Sequence, residues 1–283
     1  MEFKGLKATW NAWGRRDPFY AILTFPDKRN NKWEIDEFFR TGVEEIDEVI
    51  WYLKSLDVPL RKHSALDFGC GAGRLTQALC NHFVSVTGVD VARSMIELAN
   101  TYNKQPQRCR YMLNEQESLS EIADESFDFI YCCRVLQHME PRYRDGYIRE
   151  FLRVLSPAGI LVFQQPEEAL LQSAPDEALP QSAPDNSSRT WQAPHESPLK
   201  KTIKSWLPKP VHSFYWVLKR QWMQALASRQ LTQEMHFTPR QEMRDFLTAI
   251  QAHIIDIVED DSVPGARSYR YCVAKKSVRD LKA

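Results

Sequence analysis

The stretch ALDFGCGAGRL, residues 65–75, decides the fold of this chain. It places Gly69, Gly71 and Gly73 directly after a short apolar run, although the chain of 283 residues has only 10 glycines. A glycine-rich turn between a strand and a helix lets a ligand reach the backbone, because no side chains block its approach. We therefore predict a ligand site at this turn.

Strand-like and helical patterns alternate around the turn. The strand-like segments are residues 64–69, 84–90, 108–114, 126–135 and 159–165, and the helical segments between them are 73–83, 92–103 and 143–155. Such alternation is typical of βαβ units and predicts an α/β fold, with a mostly parallel sheet and helices on both faces. Two further strand-like segments, 254–260 and 268–276, have no helix between them and should pair antiparallel. The sheet is therefore expected to have seven strands, the last of them antiparallel.

The bulk composition excludes several classes of protein. Formal net charge is zero, which argues against nucleic acid as a partner. The sequence shows no apolar signal core near residue 1 and no run of about 20 apolar residues, so we expect a cytoplasmic protein. The six cysteines, at positions 70, 80, 109, 132, 133 and 272, have no metal-ligand spacing. We expect reduced, buried thiols and no metal.

Two acidic residues near the glycines indicate the kind of ligand. The dinucleotide fingerprint G-x-G-x-x-G counted from Gly69 would need a glycine at position 74, which is Arg74. Asp67 instead stands two residues before Gly69, where its carboxylate suits a ligand with a cationic amino group. Asp90 ends the second strand, where a ribose would lie. The alternatives are a carboxylate that only stabilises the loop, for Asp67, and a helix cap, for Asp90.

Together these motifs give the chain a likeness to a known family. LDFGCGAG (66–73), VTGVD (86–90), YMLNEQESL (111–119), SFDFIYCCRVLQHM (126–139) and LRVLSPAGILVFQQP (152–166) resemble the motifs of class I S-adenosylmethionine-dependent methyltransferases, in the small-molecule branch of type 11 and 12 enzymes. The resemblance implies a Rossmann-like fold, S-adenosyl-L-methionine as cofactor and S-adenosyl-L-homocysteine as product. The cofactor-binding residues that it implies are Asp67, Phe68, Gly69, Cys70, Gly71, Gly73, Asp90, Val91, Asn114, Glu115, Cys133 and Arg134.

Two histidines are candidates for catalysis. Methyl transfer is an in-line displacement that often needs a base to remove the proton of the acceptor. His138 follows the fourth strand at the predicted mouth of the site, and imidazole titrates near neutral pH. His138 could equally line the pocket or cap a helix. His236 could close the pocket from the other side, or serve as a staple residue before a helix that starts after Thr238.

The resemblance implies methyl transfer to an oxygen or nitrogen of a small molecule, a sugar or a lipid-linked acceptor. The fourth strand ends in CCRV instead of the [DNS]PP[YF] loop of amino-methylating DNA enzymes. The alternative function is a non-catalytic, cofactor-binding adaptor that associates with a membrane or a partner through a basic aromatic segment. The oligomeric state is left open.

We expect one domain over residues 1–283, in four parts. Residues 1–58 form an N-terminal helical cap, in which Trp13, Asp17 and Tyr20 either cover the cofactor or pack in the core. The cofactor-binding core is 59–166. An insertion, 167–236, comprises a flexible loop (167–198, with the sequence QSAPD twice) and a basic aromatic helical lid (199–230). Residues 237–283 supply a helix, with Thr238 and Gln241 as capping box, and the closing strand pair.

Overall fold

The structure, a computed structural model, describes residues 2–169, 234–260, 262–263 and 265–276, and all of them belong to one compact unit. Its strands are β1 Ser64–Phe68, β2 Ser85–Asp90, β3 Cys109–Leu113, β4 Phe127–Cys132, β5 Leu155–Ala169, β6 His253–Asp260 and β7 Ala266–Ala274. Its helices are α1 Phe3–Arg16, α2 Pro18–Ile22, α3 Ile35–Ser55, α4 Arg74–Leu79, α5 Arg93–Thr101, α6 Pro141–Val154 and α7 Arg240–Ala249. Short 3₁₀ helices occupy Pro26–Lys28 and Leu136–His138.

The seven strands form one sheet in the order β3-β2-β1-β4-β5-β7-β6. Neighbours among β1 to β5 run parallel, whereas β7 is antiparallel to both β5 and β6. The predicted fold is therefore confirmed. The strand order reverses direction beside β1 and β4, which is where open α/β sheets bind ligands at the carboxyl ends of their strands.

Alternate residues of the strands pack into separate apolar clusters on the two faces of the sheet. Leu66, Ile130 and Leu161 belong to a cluster that also contains side chains of α1, α6 and α7. The neighbouring positions Ala65, Phe129 and Ile160 belong to a cluster with α3 and α4. This alternation follows from the two-residue period of a strand. It confirms helices on both faces.

The fifth strand extends further than the sequence predicts. β5 runs to Ala169, because Glu168 and Ala169 pair with Arg267 and Ala266 after a register shift. Residues 167–169, which were predicted to begin a flexible loop, are thus part of β5. The remainder of that loop and the predicted helical lid, 199–230, lie outside the described residues.

The predicted capping box of the last helix is wrong. The first helical residue of α7 is Arg240, Pro239 occupies the N-cap position, and no side chain caps the helix. The Thr238 hydroxyl instead accepts hydrogen bonds from the Arg144 guanidinium and from Nε2 of Gln165, the latter at 3.2 Å. A helix that could span a membrane is not found among the residues described.

Candidate functional site

A cavity of about 430 Å³ opens at the carboxyl ends of β1, β2 and β4. Its walls come from the glycine turn after β1, the end of β2, the segment after β4, and α1 and α2 of the N-terminal part. The α1 wall is apolar and consists of Phe3, Leu6 and Trp10. Cavities that bind small molecules have about this size and this mixture of apolar walls and a few polar groups.

The glycine turn has a backbone that only glycine adopts easily. Gly69 and Gly73 have φ angles of +76° and +85°. A Cβ on Gly69 would lie 2.2 Å from the side chain of Val135, and one on Gly73 would lie 2.2 Å from the Tyr111 hydroxyl. Packing within the chain thus already requires glycine at both positions. Gly69, Cys70 and Gly71 line the cavity, whereas Gly73 does not.

Asp90 joins the glycine turn to the cavity wall. Its Oδ2 accepts the Gly71 backbone N–H at 2.8 Å, and its Oδ1 accepts the Ala92 N–H at 2.8 Å. Burial raises the pKa of Asp90, and the backbone N–H groups of Ala92, Gly71 and Val91 oppose that rise. Each carboxylate oxygen can accept a second hydrogen bond. Asp90 therefore holds the turn in place and retains capacity for a ligand.

Asp67 lies behind the cavity and does not line it. The side chain is buried, and Oδ2 accepts the Thr76 hydroxyl at 2.6 Å. Burial raises the pKa of Asp67 to about 7, although the Thr76 hydrogen bond and the charge of Arg74 lower it. This geometry agrees with the loop-stabilising alternative, since Asp67 ties β1 to α4. Direct contact with a ligand stays a prediction.

Of the two candidate residues after β3, Asn114 lines the cavity and Glu115 lies at the surface. Asn114 lines the cavity, as Phe68 and Val91 do, and its Nδ2 donates to the Ser118 carbonyl at 3.0 Å. Glu115 is not on the wall, and its carboxylate pairs with Nζ of Lys7 at 3.2 Å and with Arg93 at 3.9 Å.

A buried ion cluster, which the sequence reasoning missed, lies against the cavity. Oε2 of Glu45, from α3, is 2.7 Å from guanidinium nitrogens of both Arg74 and Arg134, and Oε1 accepts the Tyr131 hydroxyl at 3.0 Å. Burial alone would raise the pKa of Glu45, but the charges of Arg134 and Arg74, with hydrogen bonds from Arg74 and Tyr131, hold it well below its ordinary 4.5. Both arginines line the cavity, so the cluster connects α3 to its wall.

Cysteines near the cavity are buried and protonated. Cys133 lines the wall, and burial raises its pKa to about 12. Burial likewise holds the pKa of the Cys132 thiol well above 9. A thiol needs its thiolate form to react, so these side chains favour packing over nucleophilic chemistry. Groups of three or more His, Cys, Asp or Glu side chains that could hold a metal are absent from the described ranges.

His138 lines the cavity with a defined tautomer. Its Nδ1 is 2.8 Å from the Glu234 carbonyl oxygen, and since a carbonyl only accepts, Nδ1 carries the proton. Burial lowers the pKa of His138 below 6.5, against the hydrogen bond to Glu234. Nε2 is therefore an unprotonated base near neutral pH. The Trp10 ring packs edge-on against the imidazole, with centroids 5.1 Å apart.

His236 and the N-terminal candidates lie away from the wall. The His236 backbone N–H donates to the Gln137 carbonyl at 2.6 Å, but His236 does not line the cavity. Trp13, Asp17 and Tyr20 do not line it either; Trp13 and Asp17 are buried, and Oδ2 of Asp17 accepts the Asn30 N–H at 2.6 Å. These contacts agree with the packing alternative. A catalytic role of His236 stays a prediction.

Comparison with known families assigns the core. Residues 66–163 match the family model described as "Methyltransferase domain". This match spans about a third of the chain. The matched segment contains β2, β3 and β4, with most of β1 and β5, and therefore the glycine turn, Asp90 and His138.

Solved structures agree with the fold. The magnesium protoporphyrin IX methyltransferase of Synechocystis has a TM-score of 0.58 at 14% identity, over 98% of this chain and 100% of that one. An S-adenosylmethionine-dependent methyltransferase of Clostridium acetobutylicum has a TM-score of 0.55 at 15% identity, over 92% and 99%. At these identities the likeness shows the fold alone.

Curated relatives match in sequence over part of their length. The ubiquinone biosynthesis O-methyltransferase of Coxiella burnetii is 35% identical over 107 residues, which are 38% of this chain and 44% of the relative. The enzyme of the same name from Paracidovorax citrulli is 27% identical over 146 residues, or 50% and 59%. The chain thus spans about half the length of these relatives.

Proposed function

We propose that this chain is an S-adenosyl-L-methionine-dependent methyltransferase that methylates an oxygen or nitrogen of a small molecule, a sugar or a lipid-linked acceptor. The observation that carries the proposal is Asp90, whose carboxylate binds the glycine turn and also lines the cavity. The two relatives in sequence are O-methyltransferases by name, which favours an oxygen acceptor.

The residues present fit the cofactor. Asp90 has free acceptor capacity for the two ribose hydroxyls, at the end of β2 where the fold places a ribose. Val91 and Asn114 line the same wall, the Asn114 backbone N–H donates to the Asp90 carbonyl at 2.9 Å, and both residues would hold the adenine. Gly69, Cys70 and Gly71 expose their backbone to the cavity, where the methionine part would lie.

Each part of the site has a separate task in the proposed reaction. The cofactor supplies a methyl group on a sulfonium, which is already activated for displacement. The chain must orient the acceptor, exclude water and accept one proton. His138 is suited to the last task, because Nδ1 holds its proton against the Glu234 carbonyl and Nε2 is unprotonated. The Gln137 amide nitrogen lies 3.3 Å from Nε2 and must give up that contact before the acceptor can donate to it. The apolar α1 wall excludes water.

The adaptor alternative depends on residues 199–230, which are outside the described part of the chain. The unprotonated imidazole on the cavity wall favours catalysis over binding alone. A labelled methyl donor, supplied with fractions of a host lysate, would test this directly. Radioactivity should enter a small-molecule, lipid or polysaccharide fraction, and none in any fraction would contradict the enzyme proposal.

Calorimetry tests the cofactor site independently of turnover. Asp90→Ala removes two charged hydrogen-bond acceptors, each worth about 1.5–3 kcal/mol, so affinity for S-adenosylmethionine should fall about 100-fold or more. Asp90→Asn, which keeps the shape and one oxygen, should lose less. Asp36→Ala is the matched control, since this carboxylate is 91% exposed on α3. Equal affinities in all variants would contradict the assignment, and melting temperatures would report any loss of folding.

A further inference from the structure

Residues 234–238, here called the 234–238 segment, pass beside the cavity without forming a helix or a strand. The His236 N–H donates to the Gln137 carbonyl at 2.6 Å, which joins the segment to the 3₁₀ helix after β4. The Thr238 N–H donates to the Pro166 carbonyl at 2.9 Å, which joins the segment to β5. Because the segment has no regular hydrogen-bond pattern of its own, its position depends on single contacts of this kind.

Gln165, on β5, holds the 234–238 segment with a buried side-chain amide. Only 1% of the residue is exposed, and it does not line the cavity. Its Nε2 donates to the His236 carbonyl at 3.0 Å and to the Thr238 hydroxyl at 3.2 Å. The reverse orientation of the amide would place its oxygen against the His236 carbonyl, with two acceptors facing each other. Both N–H groups of Gln165 are therefore directed at the 234–238 segment.

The first residue of the 234–238 segment determines where His138 carries its proton. The Glu234 carbonyl accepts from Nδ1 at 2.8 Å, which leaves Nε2 unprotonated. The contact on the other side of the ring does not make this choice. The Gln137 amide lies 3.3 Å from Nε2 and could present either its nitrogen or, after a turn of the amide, its unpaired oxygen. The Glu234 carbonyl is thus the contact that distinguishes the two neutral forms of the imidazole.

We propose that Gln165 is a positioning residue for His138, acting through the backbone of the 234–238 segment. It holds the His236 carbonyl, and the adjoining chain holds the Glu234 carbonyl, so that the imidazole proton stays on Nδ1. This inference rests on the proposed function and deepens it. Only Met235 separates the two carbonyl-bearing residues, and planar peptide units transmit a displacement of one to the other. Met235 also lines the cavity, so the same displacement reaches the wall that faces the acceptor.

Nuclear magnetic resonance can locate the proton without any acceptor. In protein labelled with ¹⁵N-histidine, the chemical shifts of the two ring nitrogens report which one is protonated, and the His138 signals are those missing from His138→Gln. The wild type should show the proton on Nδ1 at neutral pH. Gln165→Met keeps the length of the side chain but has no donor, and the amide of Gln165→Asn is one methylene too short. Both variants should shift the signals toward the Nε2–H form, since one hydrogen bond changes the ratio of the two forms by about 2- to 12-fold.

Turnover gives a second readout, in a double-mutant cycle. With the lysate fraction that accepts the labelled methyl group, Gln165→Met should lower kcat by about 10- to 100-fold, because both the tautomer and the position of the ring change. In the His138→Gln background the same substitution should have no further effect on kcat. Gln241→Met is the matched control, because Nε2 of Gln241 donates to Asp245 at 2.8 Å on the exposed side of α7. It should leave both the ¹⁵N shifts and kcat unchanged.

A wild-type His138 with its proton on Nε2 would overturn the inference, whatever the activity. Unchanged ¹⁵N shifts in the Gln165 variants, whose folding is checked by their melting temperatures, would overturn it as well. An equal loss of kcat with and without His138 would show that Gln165 has a merely structural role and would also count against it. A wild type that methylates no fraction would contradict the proposed function instead, and the resonance experiment would still locate the proton.

Discussion

Replacing Glu45 by Gln should destabilise this protein more than any other single charge removal on α3. The substitution keeps the shape of the side chain but leaves Arg74 and Arg134 without their shared carboxylate. Only 12% of the Glu45 side chain is exposed, and the two arginine side chains are 3% and 18% exposed. Removing one partner of a buried ion pair costs about 3–5 kcal/mol, because the remaining charge stays buried.

Glu44→Gln is the matched control, one residue away on the same helix. Glu44 pairs with Arg40 at 3.6 Å, but both side chains are 68% exposed. Such exposed pairs contribute about 0.5 kcal/mol or less. Urea denaturation at pH 7 with linear extrapolation measures both effects. A difference of less than about 1 kcal/mol between the two variants would refute the reasoning, because solvent would then screen the cluster.

The pH dependence gives the same prediction a second readout. The pKa of Glu45 is lower in the folded than in the unfolded state, so the unfolded state binds more protons when pH falls. The stability from the cluster is therefore present above pH 4.5, the ordinary value, and is lost as pH falls further. The gap between wild type and Glu45→Gln should narrow below that pH. A constant gap down to pH 3 would contradict the sign.

Three further predictions concern the site and the glycine turn. His138→Gln should lower kcat about 10²- to 10⁴-fold. It should also remove the fall in activity that we expect of the wild type at acidic pH, where His138, whose pKa burial lowers below 6.5, becomes protonated. Unchanged pH–rate profiles would leave His138 a wall residue only. Asp67→Asn should remove a pH-dependent cost. With a folded pKa of about 7 against 3.8, the contribution of Asp67 to wild-type stability is full below pH 3.8 and declines as pH rises to about 7. The decline amounts to at most about 4 kcal/mol at 1.36 kcal/mol per pKa unit, and denaturation of both proteins at pH 4 and pH 8 would measure it. Gly73→Ala should lower the free energy of unfolding by at least about 1–2 kcal/mol. A Cβ added at Gly146 in α6 would have no heavy atom within 4 Å, so Gly146→Ala should raise the free energy of unfolding by about 0.5–1 kcal/mol. Similar melting temperatures for the two variants would contradict the packing argument.

Local patterns were sufficient to predict the sheet and the place of the cavity. Strand and helix periods depend on neighbouring residues, and the carboxyl ends of parallel strands meet at one edge whatever the loops do. Asp90 and His138 could therefore be placed on the wall from their positions after β2 and β4. The same reasoning could not decide whether Asp67 contacts a ligand or another part of the chain. In the structure Asp67 accepts the Thr76 hydroxyl and does not line the cavity.

Local sequence patterns could not predict the contacts between side chains that are far apart in the chain. Glu45 lies in an amphipathic helix among other acidic residues. The sequence around it does not indicate that its partners are Arg74, from α4, and Arg134, which follows β4. Thr238 has the spacing of a capping residue, yet Arg144 and Gln165 take its hydroxyl. Short polar side chains are easily redirected in this way, because a tertiary partner competes with the local backbone for the same oxygen.

Two hydrogen bonds join the end of β5 to the residues at the start of α7. The Thr238 N–H donates to the Pro166 carbonyl at 2.9 Å, and the Arg240 N–H donates to Glu167 at 3.0 Å. Residues 166–167 and 238–240 are therefore held together beside the end of β5. The entropy of closing a chain between two such fixed points changes by only about 0.6 kcal/mol when its length is doubled. The two hydrogen bonds thus fix where the chain returns to the described core, whatever the number of residues between them.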